Sequence, residues 1–325
     1  MRTNLNQWTR RALLAAAGAA LCPTWAAAET IPSTVRLVVP FAPGGSNDVI
    51  ARAVAPLLGR RLNTTVIVEN KPGAAGSIGA DFVAKAAKDG ATLLVTSSTL
   101  VTSAATMPKT PYDVTTAFAP VALLGQGPML VAVSAATPVR TPAEFVAAAR
   151  ARPGALNYGT AGVGSIAHMS SEMLNDAARI QTTHVPYKGA APALLDLAAG
   201  QINMMISNYS SLVPQIKAGR VRPVAVTSAR ASEAFPDLPP MQVAAPGFAA
   251  EIWVGVFAPA GTPAALVQRY NRELNEIARA PELKALLESD GALPTPLSPA
   301  EAAQRVKDDL AMWKKIASEK NIVTD

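Results

Sequence analysis

Cysteine is almost missing from this chain: Cys22 is the only one among 325 residues. Without paired cysteines there is no disulfide framework, so the fold must stand on core packing alone. A chain whose body carries no thiol also suits an oxidising compartment. Histidine is nearly as scarce, with His168 and His184 the whole supply. Two imidazoles and no nearby cysteine do not make up the usual zinc ligand sets, so no metal or other cofactor is expected. Aromatics make up 5% of the residues, and no block of Lys and Arg interrupts the chain beyond residue 30, which argues against a nucleic-acid partner. Past residue 28 no run approaches the roughly 18 apolar residues of a membrane helix.

What is present begins with a leader. Met1 to Arg11 is polar and basic, Ala12 to Leu21 is apolar, and Ala26-Ala27-Ala28 offers small residues before Glu29. Residues 1–28 are therefore expected to be a secretory signal peptide, too short in its apolar part to span a bilayer. Thr9-Arg10-Arg11-Ala12-Leu13-Leu14 also resembles a twin-arginine signal, so Sec and twin-arginine export both stay open. Leu21 before Cys22 is not the small residue a lipid-anchor site wants. Taking Arg2, Arg10 and Arg11 from the 29 basic residues leaves 26 against 23 acidic, a charge of +3. The expectation is a soluble protein outside the cytoplasm. Nearly 300 residues are more than one core usually serves, which predicts two domains.

Beyond the leader the pattern alternates. Val35–Val39, Thr65–Glu69 and Thr92–Thr96 read as strands. Between them, Asn47–Leu62 carries apolar residues at helical spacing and Ala74–Ala87 reads as another helix. The grammar returns at Leu156–Gly159, Ile166–Ala178, Thr182–Pro186, Pro192–Ala199 and Ile202–Ile206. Strands separated by helices of this length imply βαβ units and mostly parallel sheets. Extended segments at Gly127–Val133 and Glu251–Pro259 look like crossings between two such units. Amphipathic helices at Ala264–Arg279 and Pro299–Glu319, the latter capped by Ser298, follow. The first unit lacks closing elements before residue 128, so the tail is expected to return to it. This gives domain 1 as residues 29–128 plus 256–325 and domain 2 as residues 129–255, joined by a two-segment hinge.

The strand-to-helix turns hold the chemistry. Pro43-Gly44-Gly45-Ser46 and Gly162-Val163-Gly164-Ser165 each precede a helix. Helix-start N–H groups lack internal partners and sit at the positive end of the dipole, so each turn is a candidate anion seat. A helix terminus is worth roughly 0.3–1 kcal/mol and each hydrogen bond to a charged group roughly 1.5–3 kcal/mol. A handful reaches the ~8 kcal/mol of a micromolar complex, enough for a small carboxylate. A nucleotide fits poorly. No glycine loop ends in Gly-Lys-Ser/Thr, and Gly159 to Gly164 lacks the middle glycine of a dinucleotide fingerprint.

These residues resemble the Bug family, the extracytoplasmic solute receptors of tripartite tricarboxylate transporters. The resemblance runs through Val38-Val39-Pro40-Phe41-Ala42-Pro43-Gly44-Gly45-Ser46-Asn47-Asp48, Val68 to Gly76, Asn157 to Ser165, His184 to Gly189, Ala225 to Ser228 and Trp253 to Gly261. It implies a monomeric two-lobed clamp of the periplasmic-binding-protein (Venus flytrap) fold, α/β, with two crossover strands. It also implies a carboxylate ligand and a tripartite tricarboxylate-type membrane permease as partner, or for some relatives a sensor kinase. Carried onto this chain, the ligand-binding residues are Phe41, Pro43, Gly44, Gly45 and Ser46 in the first turn, Ser97, then Thr160, Ala161, Gly162, Gly164 and Ser165 in the second, and Ser207. Many members have an aspartate where Ser207 stands. Its loss disfavours an amino-acid ligand and favours a di- or tricarboxylate or an aromatic acid.

Other residues invite chemical readings. Ser165 and His168 are three apart at a helix start, which raises a secreted hydrolase of small esters as the alternative function. A catalytic triad needs a serine, a histidine and an acid together, and the nucleophile elbow G-x-S-x-G is absent around both Ser165 and Ser46. Tyr187 and Lys188 either reach the cleft or sit on a surface turn. Met204 and Met205 read as strand core, Trp253 as hinge packing, and Asp308-Asp309 as a solvated helix face.

Overall fold

The computed structural model describes residues 30–107, 109–319 and 322; the expected signal peptide lies outside the described residues. The first alternating stretch folds as β1 (Thr34–Val39), α1 (Ser46–Leu62), β2 (Thr65–Asn70), α2 (Ser77–Ala84), β3 (Thr92–Ser97) and α3 (Thr99–Thr106). β4 (Phe118–Pro128) then leads through Met129 into β5 (Leu130–Ser134). After α4 (Pro142–Ala151) the alternation repeats as β6 (Asn157–Thr160), α5 (Ile166–Ala178), β7 (Thr183–Pro186), α6 (Ala190–Ala198), β8 (Met204–Ser207) and α7 (Tyr209–Lys217). The chain closes with β9 (Val221–Val226), β10 (Glu251–Pro259), α8 (Ala264–Arg279), α9 (Pro281–Ser289), β11 (Leu293–Pro294) and α10 (Pro299–Glu319).

Two sheets result, with one plan. The first orders its strands β2-β1-β3-β10-β4-β11, the second β7-β6-β8-β5-β9. β1 pairs in parallel with β2 and β3, as β6 does with β7 and β8. β10 then runs antiparallel to β3, and β5 antiparallel to β8. The sheets are thus mixed: the parallel part is the three strands read from the βαβ pattern, and the crossing strands β4, β5 and β10, with β9 and β11, supply the antiparallel rest. β10 returns to the first sheet at Glu251, opposite Pro128. The tail helices pack on that sheet as well.

Both faces of each sheet are covered, which is why the strands read as unbroken apolar runs. In β1, Val35, Leu37 and Val39 face the core under α1 and α8, while Val38 faces a second core. That second core is continuous across both sheets, from Val38 and Leu94 through Trp253 to Val131, Tyr158 and Met204. Each fully buried Val or Leu there contributes roughly 1.5–3 kcal/mol.

Local deviations have local causes. The helix expected over 74–87 is split, because Ala74 and Ala75 take left-handed φ of 45° and 49° and Gly76 follows at 91°. α2 therefore starts only at Ser77. α10 starts at Pro299 as expected, under a reciprocal cap in which Glu301 N–H donates to Ser298 Oγ and Ser298 N–H to Glu301 Oε2. Asp309 is not solvated. It is 8% exposed, accepts the Trp253 indole N–H at 2.7 Å and pairs with Arg305 at 2.8 Å. Trp253 is 1% exposed and serves as packing between the sheets.

Candidate functional site

A cavity of about 60 Å³ lies where the carboxyl ends of both sets of parallel strands meet. Five helix starts line it, the one at α6 through Ala190 alone. Ser46, Asn47 and Asp48 come from α1, Ser97 and Thr99 from the β3–α3 turn, Ser165 and Ile166 from α5, and Asn208 and Ser211 from α7. Each sheet contributes the turn after its central parallel strand and the turn after the strand that adjoins the crossing. Apolar wall comes from Phe41, Met129, Met205, Ile206 and Ile252. Among the described residues no Lys or Arg lines the cavity. An anion here would be held by backbone N–H groups, hydroxyls and helix dipoles.

Of the residues expected from sequence, Phe41, Gly45, Ser46, Ser97, Ala161, Ser165 and Ser207 share this one cavity. Pro43 and Gly44 are exposed beside it. Thr160, Gly162 and Gly164 are buried behind it and shape the second turn. Sequence reasoning missed the α7 start, with Asn208 and Ser211, and Thr99 on α3. The signal was there as a polar cluster directly after each strand, Ser97-Ser98-Thr99 and Ser207-Asn208-Tyr209-Ser210-Ser211. Met205 is buried, as expected of strand core, and also forms cavity wall. Tyr187 donates to Asp196 at 2.6 Å, and neither it nor Lys188 lines the cavity.

Buried polar atoms without partners mark where a ligand would bond. Ser46 Oγ on α1 and Ser211 Oγ on α7 have none, and their residues are 8% and 4% exposed. One stands on each half of the molecule. A buried hydroxyl left unpaired costs about 1–3 kcal/mol, and a bound acceptor would recover it.

Both glycine turns are braced from behind. Asp48 accepts Gly44 N–H at 2.9 Å, Arg52 Nε–H at 3.0 Å and Asn70 Nδ2–H at 2.9 Å. Burial opposes the Asp48 charge, but these donors together outweigh it and hold the carboxyl below its ordinary range. In the second turn, Thr160 Oγ1 accepts Gly162 N–H at 3.2 Å and bonds His184 Nε2 at 2.7 Å. His168 Nδ1 accepts Gly164 N–H at 3.1 Å. The rings of His168 and His184 stack with centroids 4.0 Å apart, and Tyr158 stacks on His184 at 5.0 Å. Burial, reinforced by the neighbouring His168, pushes His184 down to about 3. Burial likewise lowers His168, against the opposing pull of Glu172.

This bonding leaves no hydrolytic pair. Ser165 Oγ accepts the backbone N–H of His168 at 3.3 Å, which is a helix cap, while His168 Nδ1 is committed to Gly164.

The two halves interlock reciprocally around the cavity. A Cβ on Gly44 or Gly45 would lie 3.7 or 3.8 Å from the Cβ of Ala191 or Ala190, at the start of α6. A Cβ on Gly162 would lie 3.2 Å from the backbone of Ala75, just before α2. Each anion turn is thus covered by the start of the other half's second helix. Ala42 N–H donates to Lys188 C=O at 3.3 Å, and Thr99 Oγ1 accepts Ile166 N–H at 3.2 Å.

Comparison with known proteins agrees with this geometry. Residues 50–322 match the model of the tripartite tricarboxylate transporter family receptor. A protein from the tcbD-tcbE intergenic region of Pseudomonas sp. (strain P51) is 37% identical over 90% of this chain and 88% of its own. The solved structure of periplasmic binding protein BugD superimposes with TM-score 0.86 at 30% identity, over 90% of this chain and 99% of its own. The R. palustris protein Rpa4515, solved with adipate, gives 0.85 at 34% identity, over 89% of this chain and 98% of its own. The chain belongs to the tripartite tricarboxylate transporter receptor family, the Bug proteins, a family of solute-binding receptors and not of enzymes.

Proposed function

We propose that this receptor closes two lobes around a small carboxylate and hands it to a membrane permease of the tripartite tricarboxylate type. The observation that carries the reading is the cavity itself. Five helix starts and two unpartnered hydroxyls, Ser46 and Ser211, converge on a space with no cationic wall among the described residues. That arrangement suits a carboxylate, held by neutral donors. With serine at position 207 that strand end offers no carboxylate to a ligand amine, and the acidic lining residue Asp48 is engaged by Gly44, Arg52 and Asn70, so di- and tricarboxylates or aromatic acids fit better than amino acids. Adipate, bound by Rpa4515, is the first candidate.

The lobes correspond to the two sheets, with residues 29–128 and the tail in one and residues from 129 up to the second crossing in the other. Closure would bend the two crossings beside the residues where they meet, Met129 and Thr227, driven by contacts the ligand makes with both lobes only when they come together. Residues 1–28 would direct export to the periplasm by the Sec or twin-arginine route, and the receptor would act there as a monomer. A thermal-shift panel of adipate, malate, citrate, benzoate and amino acids, followed by calorimetry, tests the ligand class. Stabilisation by one or more of the carboxylic acids and none of the amino acids is expected. No stabilisation by any acid, or turnover of a chromogenic ester by the purified protein, would overturn it.

A further inference from the structure

The first N–H groups of α7 need acceptors from outside the helix. One comes from far along the chain and from the other half of the molecule. Asp290, which ends α9, accepts the Ser210 backbone N–H on Oδ1 and the Ser210 hydroxyl on Oδ2 at 2.8 Å. α9 packs on α1, α8 and β11, in the half built on the first sheet. α7 packs on β9 and α6, in the other. The same α7 start carries Asn208 and Ser211 into the cavity.

Asp290 is 2% exposed. Its neighbour Gly291 is crowded by Phe235, Pro128 and Ser232, at 3.0 to 3.2 Å from where a Cβ would sit. No cation compensates. The charged groups on the surrounding elements are Glu282, Lys284 and Glu288 of α9, Lys217 of α7, Asp48, Arg52, Arg60 and Arg61 of α1, Arg269, Arg272, Glu273, Glu276 and Arg279 of α8, and Arg230, Glu233 and Asp237 between β9 and β10. All but Asp48 and Glu273 are exposed, and only burial and Ser210 act on the Asp290 carboxyl.

We propose that Asp290 couples closure to proton uptake. Bringing the halves together encloses an acid between them with no counter-charge, so the closed form holds a proton that the open form sheds. The inference rests on the reading that the lobes open and close.

The balance of effects gives the sign. Ser210 supplies two neutral donors and a helix start, and these favour the carboxylate. Burial is the larger effect and pushes the Asp290 carboxyl up to about 6. Separation of the halves would return water to the group and bring it back toward the ordinary ~3.9. A state with the higher affinity for a proton is favoured by acid, so closure gains as pH falls from about 6 toward 4. Between about pH 7.5 and about pH 5 the ratio of closed to open forms rises about tenfold.

The test needs no ligand. Lys85 on the first half and Leu195 on the second are exposed, near helices that flank the cavity. Spin labels on Lys85→Cys and Leu195→Cys, in a Cys22→Ser background, report their separation by pulsed electron paramagnetic resonance. The parent is expected to shift toward the short distance between about pH 7.5 and about pH 5. Asp290→Asn, a neutral isostere of the protonated acid, is expected to favour the short distance at both. Three results would overturn the proposal: a shift that survives in Asp290→Asn, which would point to His168 or another group; an Asn variant open at both pH values, which would make the charge a latch; or no response in the parent. If Asp290→Asn fails to fold by circular dichroism, Ser210→Ala takes its place. Removing that donor should move the midpoint of the parent's shift upward, and an unmoved midpoint counts against the proposal. A failed ligand panel would leave this readout intact, and a successful panel without the distance shift would remove only the proton coupling.

Discussion

Thr227 and Met129 clasp the two chain crossings to each other. Thr227 N–H donates to Met129 C=O at 2.9 Å, and Met129 N–H donates back to Thr227 Oγ1 at 2.8 Å. The same hydroxyl donates to Ala250 C=O at 2.7 Å, immediately before β10. Thr227 is fully buried, so water cannot replace these bonds. Bending of one lobe against the other would therefore be concentrated beside a fixed knot rather than spread along both segments.

Thr227→Val keeps the shape and removes the hydroxyl. It leaves a buried N–H and a buried C=O unpaired, which should cost about 2–3 kcal/mol of stability. Urea unfolding measures it, with Thr227→Ser, which keeps the hydroxyl, expected to recover most of the loss. A cost below ~0.5 kcal/mol would be only the scatter of an ordinary surface substitution, and the clasp would then have no structural weight.

Gly164 has φ of +78°, and an added Cβ would sit 2.5 Å from Thr106 Oγ1 of α3, on the opposite half. Gly154 has φ of +76° with nothing within 4 Å. Both Gly→Ala changes incur the left-handed penalty of roughly 1–2 kcal/mol, but only Gly164→Ala drives a methyl between the halves. The variants should lose similar thermal stability without ligand, while only Gly164→Ala loses ligand affinity, by about tenfold or more. Equal affinities, measured by calorimetry, would show that closure does not bring these residues together.

The orphaned hydroxyls separate binding from folding. Ser46→Ala and Ser211→Ala remove groups that bond nothing in the protein, so unliganded melting temperatures should hold or rise slightly. Each loses a hydrogen bond to an anionic ligand, worth roughly 1.5–3 kcal/mol, or at least about tenfold in affinity. A variant that melts lower yet binds normally would place its hydroxyl in the fold instead of the site.

Much of this was legible beforehand, for identifiable reasons. Strands covered on both faces, such as Val35–Val39 and Thr92–Thr96, print as apolar runs, and the glycine turns print directly. The starts of α3 and α7 did not. Thr99–Thr106 is short and dominated by small and hydroxyl residues, and Tyr209–Lys217 contains Pro214, so neither shows clear helical periodicity. Asp309 resembled its solvated neighbour Asp308, but one step round the helix puts it on the buried face with Leu310 and Trp313, under an indole that needs an acceptor. Asp290 carried no local signal, because its partner stands 80 residues away.

The stacked histidines predict how stability itself follows pH. His184 is neutral in the folded protein, held down to about 3 by burial and by His168, whereas in the unfolded chain it titrates near ~6.5. The unfolded state therefore binds the proton first. The stability from the neutral ring is fully present above about pH 6.5 and is lost as pH falls toward about 3. His168 acts in the same direction. Between about pH 6.5 and about pH 5 the loss attributable to His184 should be about 1–2 kcal/mol, allowing for its partial exposure. Asp290 works in the opposite sense, since acid relieves its burial, so the comparison is cleanest in the Asp290→Asn background. Urea midpoints across this window should fall with pH there and fall less steeply with His184→Gln added. A midpoint that stays level down to about pH 5 would mean that the ring is solvated or already paired as a cation in the fold.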